Sequence, residues 1–293
     1  LRRQRQMCIR DSSWTTNFNI AFNKNKVLEL AENQSSLLSA AKFDQNYNSQ
    51  YSYIAKVGYP MGMMYGFIYE GTYKYEDFDK VGDTYTLKRN VPYFSSESNT
   101  QPGMPKYADL NGDGIIDDND RTMIGNGMPK HTGGFTNNFE YKGFDLSIFF
   151  QWSYGNDVLN ANRLFFENSN KTRDLNQYAS YADRWTPENP ESNIPRATDS
   201  GSNKVFSTRI IEDGSFLRLK TVSLGYTLPK QLTKKWKIDN ARVFVAGQNL
   251  WTCTGYSGYD PEVSIREGAL TPGLDFSAYP RAYSISFGIN LGF

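Results

Sequence analysis

The chain has 293 residues, enough for one large β domain or two average ones, and its 32 basic residues against 31 acidic ones leave a formal net charge of +1. That balance argues against nucleic acid as a partner. A mean hydropathy of −0.61 and the lack of an apolar run near ~18 residues exclude a helical membrane span, whereas a membrane β-barrel stays open because its lipid-facing and lumen-facing residues alternate and cancel.

Cys8 and Cys253 cannot make a disulfide framework. The single histidine, His131, leaves no material for a His-based zinc site or a Ser-His-Asp triad, and it is expected in a loop. No residue is nominated as catalytic, and the chain is read as a non-enzyme.

Taken in chain order, residues 1–12 read as a leader foreign to the rest. They are Arg-rich, lack the apolar core of a secretory signal, and contain Met7-Cys8-Ile9-Arg10-Asp11-Ser12, which looks like translated adapter sequence. Residues 13–293 then form one unit. Trp14, Thr16, Phe18, Ile20 and Phe22 alternate with Thr15, Asn17, Asn19 and Ala21, the period of two of a strand.

Residues 109–120 follow the spacing of a calcium loop. Asp109, Asn111 and Asp113 place side-chain oxygens at positions 1, 3 and 5, Gly114 permits the sharp turn, and Ile115 offers its carbonyl. Ile116 is apolar, as a loop anchored to a core needs, while Asp117 and Asp120 complete the ligand set. The final Asp stands where the usual loop has Glu, as in dockerin-type loops. Hard oxygen donors without His or Cys favour Ca²⁺, in a structural role.

Next, Phe135, Phe139 and Tyr141 lead through Lys142-Gly143 into Phe144, Leu146, Ile148, Phe150 and Trp152, a hairpin of two membrane-length strands. Val222, Leu224 and Tyr226 oppose Ser223, Gly225 and Thr227 in a strand that stops at Pro229, and 241–250 reads as its antiparallel partner. Long polar stretches at 95–105, 156–207 and 252–280 contrast with the short turns, the asymmetry of outer-membrane barrels. Glu188 with Glu191 and Asp260 with Glu262 are expected to be loop charges rather than an acid/base pair. Trp185, Trp251 and Tyr256 suit either stacking on sugar rings or an interfacial aromatic girdle, and the girdle is the expectation.

The last segment is the clearest. Tyr283, Ile285, Phe287, Ile289, Leu291 and Phe293 alternate with Ser284, Ser286, Gly288, Asn290 and Gly292 over the roughly 9–11 residues that a tilted membrane strand needs. The polar set, Ser284, Ser286 and Asn290, suits a wet lumen.

Several strings in order resemble the SusC/RagA family of TonB-linked outer-membrane proteins. They include Val57-Gly58-Tyr59-Pro60, Tyr107-Ala108-Asp109-Leu110-Asn111-Gly112-Asp113-Gly114, Gly133-Gly134-Phe135 and Tyr141-Lys142-Gly143-Phe144-Asp145. Downstream come Arg184-Trp185-Thr186-Pro187-Glu188-Asn189-Pro190, Leu217-Arg218-Leu219-Lys220, Leu224-Gly225-Tyr226, Gly247-Gln248-Asn249-Leu250 and Tyr259-Asp260-Pro261-Glu262-Val263. The resemblance implies an all-β fold, the C-terminal portion of a transmembrane antiparallel barrel of about 22 strands, without the plug. It implies TonB-dependent import of glycan oligosaccharides or peptides across the outer membrane of a Gram-negative, Bacteroidetes-like bacterium. The implied partners are a SusD-like surface lipoprotein, TonB acting through an N-terminal region that this chain lacks, lipid, and barrel-insertion machinery reading the strand that ends at Phe293. Two rival expectations are a passive porin-like barrel and a secreted glycan-binding β-sandwich with a dockerin-like calcium loop.

Overall fold

The computed structural model describes residues 3–9, 12–45, 47, 49–168, 176–197, 205–265 and 268–293, with only the backbone described for 3–9 and for Glu32. Residues 1, 2, 10 and 11 of the expected leader, and the Cys8 side chain, lie outside that description.

Seven strands form one antiparallel sheet in which every neighbour in space is also the neighbour in sequence. They are β1 (Arg3–Ile9), β2 (Ser12–Phe22), β3 (His131–Tyr141), β4 (Phe144–Tyr154), β5 (Phe216–Thr227), β6 (Asn240–Thr254) and β7 (Ser284–Gly292). All of the strands expected from alternation are present, and β6 runs four residues past the expected Leu250 to Thr254. The β3–β4 turn forms because Lys142 (φ 46°) and Gly143 (φ 87°) both take left-handed backbone, the type I′ geometry of a two-residue hairpin.

Cross-strand register sorts the side chains into two faces. Trp14 pairs with Phe139, Phe139 with Leu146, Leu146 with Leu224, Leu224 with Val245 and Val245 with Phe287, so one face is apolar from β2 to β7. The row beside it carries Asn138, Ser147, Ser223, Ala246 and Ser286 in the same succession. A bulge at Lys220 keeps the faces in phase, since Leu219 and Val222 stand three residues apart yet share the apolar side. Asn137 is a polar residue on the apolar face, and its Oδ1 is satisfied by the Trp14 indole N–H at 3.1 Å and the Thr16 hydroxyl at 2.9 Å. On the polar face the Arg242 guanidinium donates two hydrogen bonds to Asp145. The apolar face is uncovered, with Phe287 82% exposed, which a β-sandwich would bury against a second sheet.

His131 corrects an expectation. It opens β3 rather than lying in a loop, and its ring stacks on Tyr154 at 5.0 Å and meets Phe22 edge-on. The Trp152 indole N–H donates to its Nδ1 at 3.2 Å. The residue ends up in an aromatic cluster because it falls on the apolar row.

The core lies outside the wall. The described residues of 23–130, 155–215 and 255–283 leave the same end of the sheet and fold together into a crown. Its largest cluster takes Tyr53 and Met64 from the first insertion, Leu159, Phe206 and Ile210 from the second, and Leu274 from the third, all fully buried. Burying such a side chain stabilises by about 1.5–3 kcal/mol relative to exposure. The insertions are also joined by strand pairing, as Asp157–Asn160 sits between Ile211–Asp213 and Leu274–Asp275. Within the first insertion Thr122–Asn126 pairs with Met63–Gly66.

Candidate functional site

The loop at 109–120 is held at both ends by short strands. Pro105–Tyr107 pairs with Tyr69–Thr72 before it, and within it Ile115–Ile116 pairs in parallel with Tyr93–Phe94. Ile116 is buried beside Phe67 and Tyr107, the core anchor that position needs. Gly112 and Gly114 have φ of 77° and 85°, with open space where a Cβ would stand.

The residues expected as ligands all lie in this one loop, where their side-chain oxygens accept from the loop's own backbone N–H groups. Asp109 accepts from the N–H of Gly112 at 2.7 Å and of Gly114 at 2.8 Å. Asn111 Oδ1 accepts from the Asp113 N–H at 2.8 Å, Asp113 Oδ1 from the Ile115 N–H at 2.8 Å, and Asp117 Oδ1 from the Asn119 N–H at 2.7 Å. Asn111 Nδ2 also donates to Asp113 Oδ2 at 2.9 Å. Asp120 is fully buried and closes the loop on itself, accepting from the N–H of Leu110 at 2.8 Å and of Asp117 at 2.8 Å. The side chains are all oxygen donors, the chemical type a hard divalent cation takes. No group of three or more His, Cys, Asp or Glu side chains is gathered in metal-holding geometry among the described residues.

A second constellation escaped sequence reasoning. Arg218 sits on the polar face of β5, with its side chain only 3% exposed. It donates to Asp260, to Glu262 at 3.1 Å and to the Thr252 hydroxyl at 3.0 Å. Lys220 and Arg281 add contacts to Glu262 at 3.6 and 3.0 Å. Burial alone would raise the Asp260 carboxyl, but the hydrogen bonds from Arg218 and from the backbone N–H of Glu262 and Arg281 outweigh it and hold the group below the ordinary carboxylate value. The clasp fastens the 255–283 insertion to the wall. Asp260 and Glu262 are loop charges, as expected, and their partners include Arg218, Lys220 and Arg281.

A third network ties the second and third insertions. Glu167 is buried between Arg209 at 2.8 Å and Arg163 at 3.4 Å, and it accepts from the Ser180 hydroxyl at 2.6 Å. Arg163 reaches Glu212 at 2.8 Å, and Glu212 accepts from the hydroxyl of Ser257 at 2.9 Å and its N–H at 2.8 Å. Burial would raise Glu212, yet the Ser257 hydrogen bonds with Asn160 and Arg163 hold it below its ordinary value.

The girdle expectation divides. Trp251 fits it, half exposed on the apolar row opposite Leu219. Trp185 and Tyr256 do not. Trp185 is buried against Gly103 with Arg196 over its ring, and buried Tyr256 donates to Asp275 at 2.6 Å.

No family model matches the chain. It is 33% identical over 296 residues to TonB-dependent receptor P3 of Formosa agariphila, covering 99% of the chain and 28% of that receptor. Against TonB-dependent receptor P26 of the same organism it is 39% identical over 197 residues, covering 65% of the chain and 20% of the receptor. Against TonB-dependent receptor SusC of Bacteroides thetaiotaomicron it is 25% identical over 288 residues, covering 97% and 25%. The solved structure of the RagAB peptide transporter superposes with a TM-score of 0.74 at 23% identity, covering 99% of this chain and 28% of that one. The fold is therefore that of a stretch of antiparallel transmembrane barrel wall with its loops. The chain spans 28% of the length of the first of these receptors.

Proposed function

We propose, for a chain that belongs to the SusC/RagA family of TonB-dependent receptors, that it supplies barrel wall and outward loops to an outer-membrane importer. On this reading the importer takes up oligosaccharides or peptides, works with a SusD-like surface lipoprotein, and draws on TonB through parts of the receptor beyond this chain. The observation that supports it best is the two-faced sheet. Its apolar row suits lipid, its polar row suits a wet lumen, and all of its long insertions leave from one end. The crown would then face outward, where a lipoprotein lid sits.

The test is uptake of labelled oligosaccharide and peptide pools by cells carrying the whole receptor, with and without TonB and a proton gradient. Uptake abolished by loss of either supports energised import. Uptake unchanged in both controls would mean a passive barrel.

Calcium belongs to the same proposal. Asp109, Asn111, Asp113, Asp117 and Asp120, with the Ile115 carbonyl, would hold Ca²⁺ and stiffen the loop where Ile115–Ile116 joins Tyr93–Phe94. When bound, the ion supplies charge neutralisation and rigidity, while Asp120 keeps the loop closed through the backbone. Terbium luminescence on the receptor should show a saturable site that Asp113→Ala weakens strongly. Equal affinity in the variant would remove the assignment.

A further inference from the structure

We infer that the connection between β5 and β6, residues 228–239, binds the headgroups of acidic phospholipids at the end of the wall away from the crown. The inference rests on the reading of the sheet as membrane wall, and it adds the headgroup that this edge of the wall selects.

Residues 229–239 carry four lysines, Lys230, Lys234, Lys235 and Lys237, against the single acid Asp239, in a chain whose total charge is nearly balanced. All four lysines are exposed. The segment is nevertheless built and held. Lys230–Thr233 is one turn of α-helix and Lys234–Trp236 continues it as a 3-10 turn. The Leu232 N–H donates to the Pro229 carbonyl at 2.9 Å and the Ile238 N–H to the Thr233 carbonyl at 3.2 Å. Lys237 takes the left-handed backbone (φ 58°) that ends the helix, a place where glycine is the usual choice. Thr233 is buried, the α-helical turn packs against β6, and the Asp239 N–H ties the exit to the Gly292 carbonyl of β7 at 2.8 Å.

Leu232 and Trp236 stand four residues apart in these consecutive turns, the spacing of neighbours on a helical surface, and they are 48% and 65% exposed. A leucine and a tryptophan bared among lysines are what an interfacial segment needs. The apolar pair enters the acyl boundary, the indole sits at headgroup level and the ammonium groups meet the phosphates.

The position agrees with the composition. The apolar row of the wall reaches this end through exposed Val243, Ile289 and Leu291, and the Leu228 N–H joins the connection to Ala241 of that row at 2.9 Å. Tyr141 and Phe144 end the row on the neighbouring hairpin, where the Phe144 ring lies 4.5 Å from that of Tyr226. The turn there brings a fifth lysine. Lys142 holds its ammonium 5.2 Å from the Tyr141 ring, and the Thr227 N–H binds the turn through the Gly143 carbonyl at 2.8 Å. Leu232 and Trp236 continue the row that faces lipid, so the same solvent covers both. Cations gathered where that row stops favour a headgroup with net negative charge over a zwitterion.

The test places a bimane fluorophore at Gln231→Cys in a cysteine-free version of the whole receptor, reconstituted in phosphatidylcholine vesicles. Equal small fractions of phosphatidylglycerol or phosphatidylethanolamine, each spin-labelled near the headgroup end of an acyl chain, are added as quenchers. Phosphatidylglycerol should be preferred about fivefold or more, the factor that one lysine near an acidic surface supplies. The preference should shrink at about 1 M salt, where the Debye length is about 3 Å. Changing Lys230, Lys234, Lys235 and Lys237 together to Gln should bring the two lipids to parity, and changing them to Arg should keep the preference. These side chains are exposed, so the variants are expected to fold, which the heat-dependent gel shift of an intact barrel checks. Equal quenching by the two lipids, or a preference that survives the change to Gln, would overturn the inference and leave the wall reading standing. Quenching by neither lipid would overturn it as well. A bimane at Phe287→Cys then judges the wall, which stands if that site is quenched and falls if it is not.

Discussion

The wall and the crown of this molecule use the same residue types in opposite ways. In the wall, Phe287, Ile289 and Leu224 point away from the protein and stay exposed, and order comes from long ladders of backbone hydrogen bonds. In the crown, Tyr53, Met64, Phe206 and Leu274 are fully buried among one another, while the strands are only two to six residues long. The wall borrows its apolar solvent from the membrane, and the crown has to build its own. This explains why a chain with so many exposed aromatic residues also has a close-packed core, and why the core is in its loops.

Substitutions can break that contrast. Phe206→Ala should destabilise the crown by about 3–5 kcal/mol, read by urea unfolding or by protease sensitivity of the loops. A comparable loss is expected for Arg218→Ala, about 3–5 kcal/mol, because it leaves Asp260 without its buried cation and takes one of the three cations from Glu262. The proteolytic nick should then fall within 255–283. In the wall, Phe287→Arg should cost about 2–4 kcal/mol if the residue faces the lipid midplane, whereas Ser286→Arg, one residue away, should be nearly neutral. Refolding into vesicles measures both, and equal penalties would deny the two faces.

The smallest effect is one of pH. Asp260 has a folded pKa below its unfolded value, so the clasp is complete above about 3.9 and is lost as pH falls through the lower folded value. Protease sensitivity of 255–283 should rise over that acid range, and Asp260→Asn should flatten the profile. A clasp that loosened with rising pH would contradict the assignment.

The wall was legible in the sequence because alternation is a local signal. The eleven residues of β2, β3 and β4 and the terminal strand each declare their inner and outer rows without reference to anything distant. The crown was not. Its core joins three insertions through very short strands, so no period marks Leu159 or Leu274 as buried. Trp185 and Tyr256 were assigned to a girdle for the same reason, since exposure of a loop aromatic depends on partners far along the chain. The oxygen-rich loop at 109–120 was visible because the spacing of its Asp, Asn and Gly residues is local. Arg218 offered half a signal, a cation on the polar row of a strand, but its partners lie 42 and 44 residues away.

Single-cysteine labelling of the whole receptor in native outer membranes tests the central claim most directly. In a background with Cys8 and Cys253 both replaced by Ser, cysteines are introduced in turn at Ile285, Ser286, Phe287, Ile289 and Asn290, then exposed to a water-soluble maleimide. The account predicts labelling at Ser286→Cys and Asn290→Cys, with protection at Ile285→Cys, Phe287→Cys and Ile289→Cys. Uniform labelling along β7, or labelling of the opposite row, would show that this sheet is not a wall between lipid and lumen.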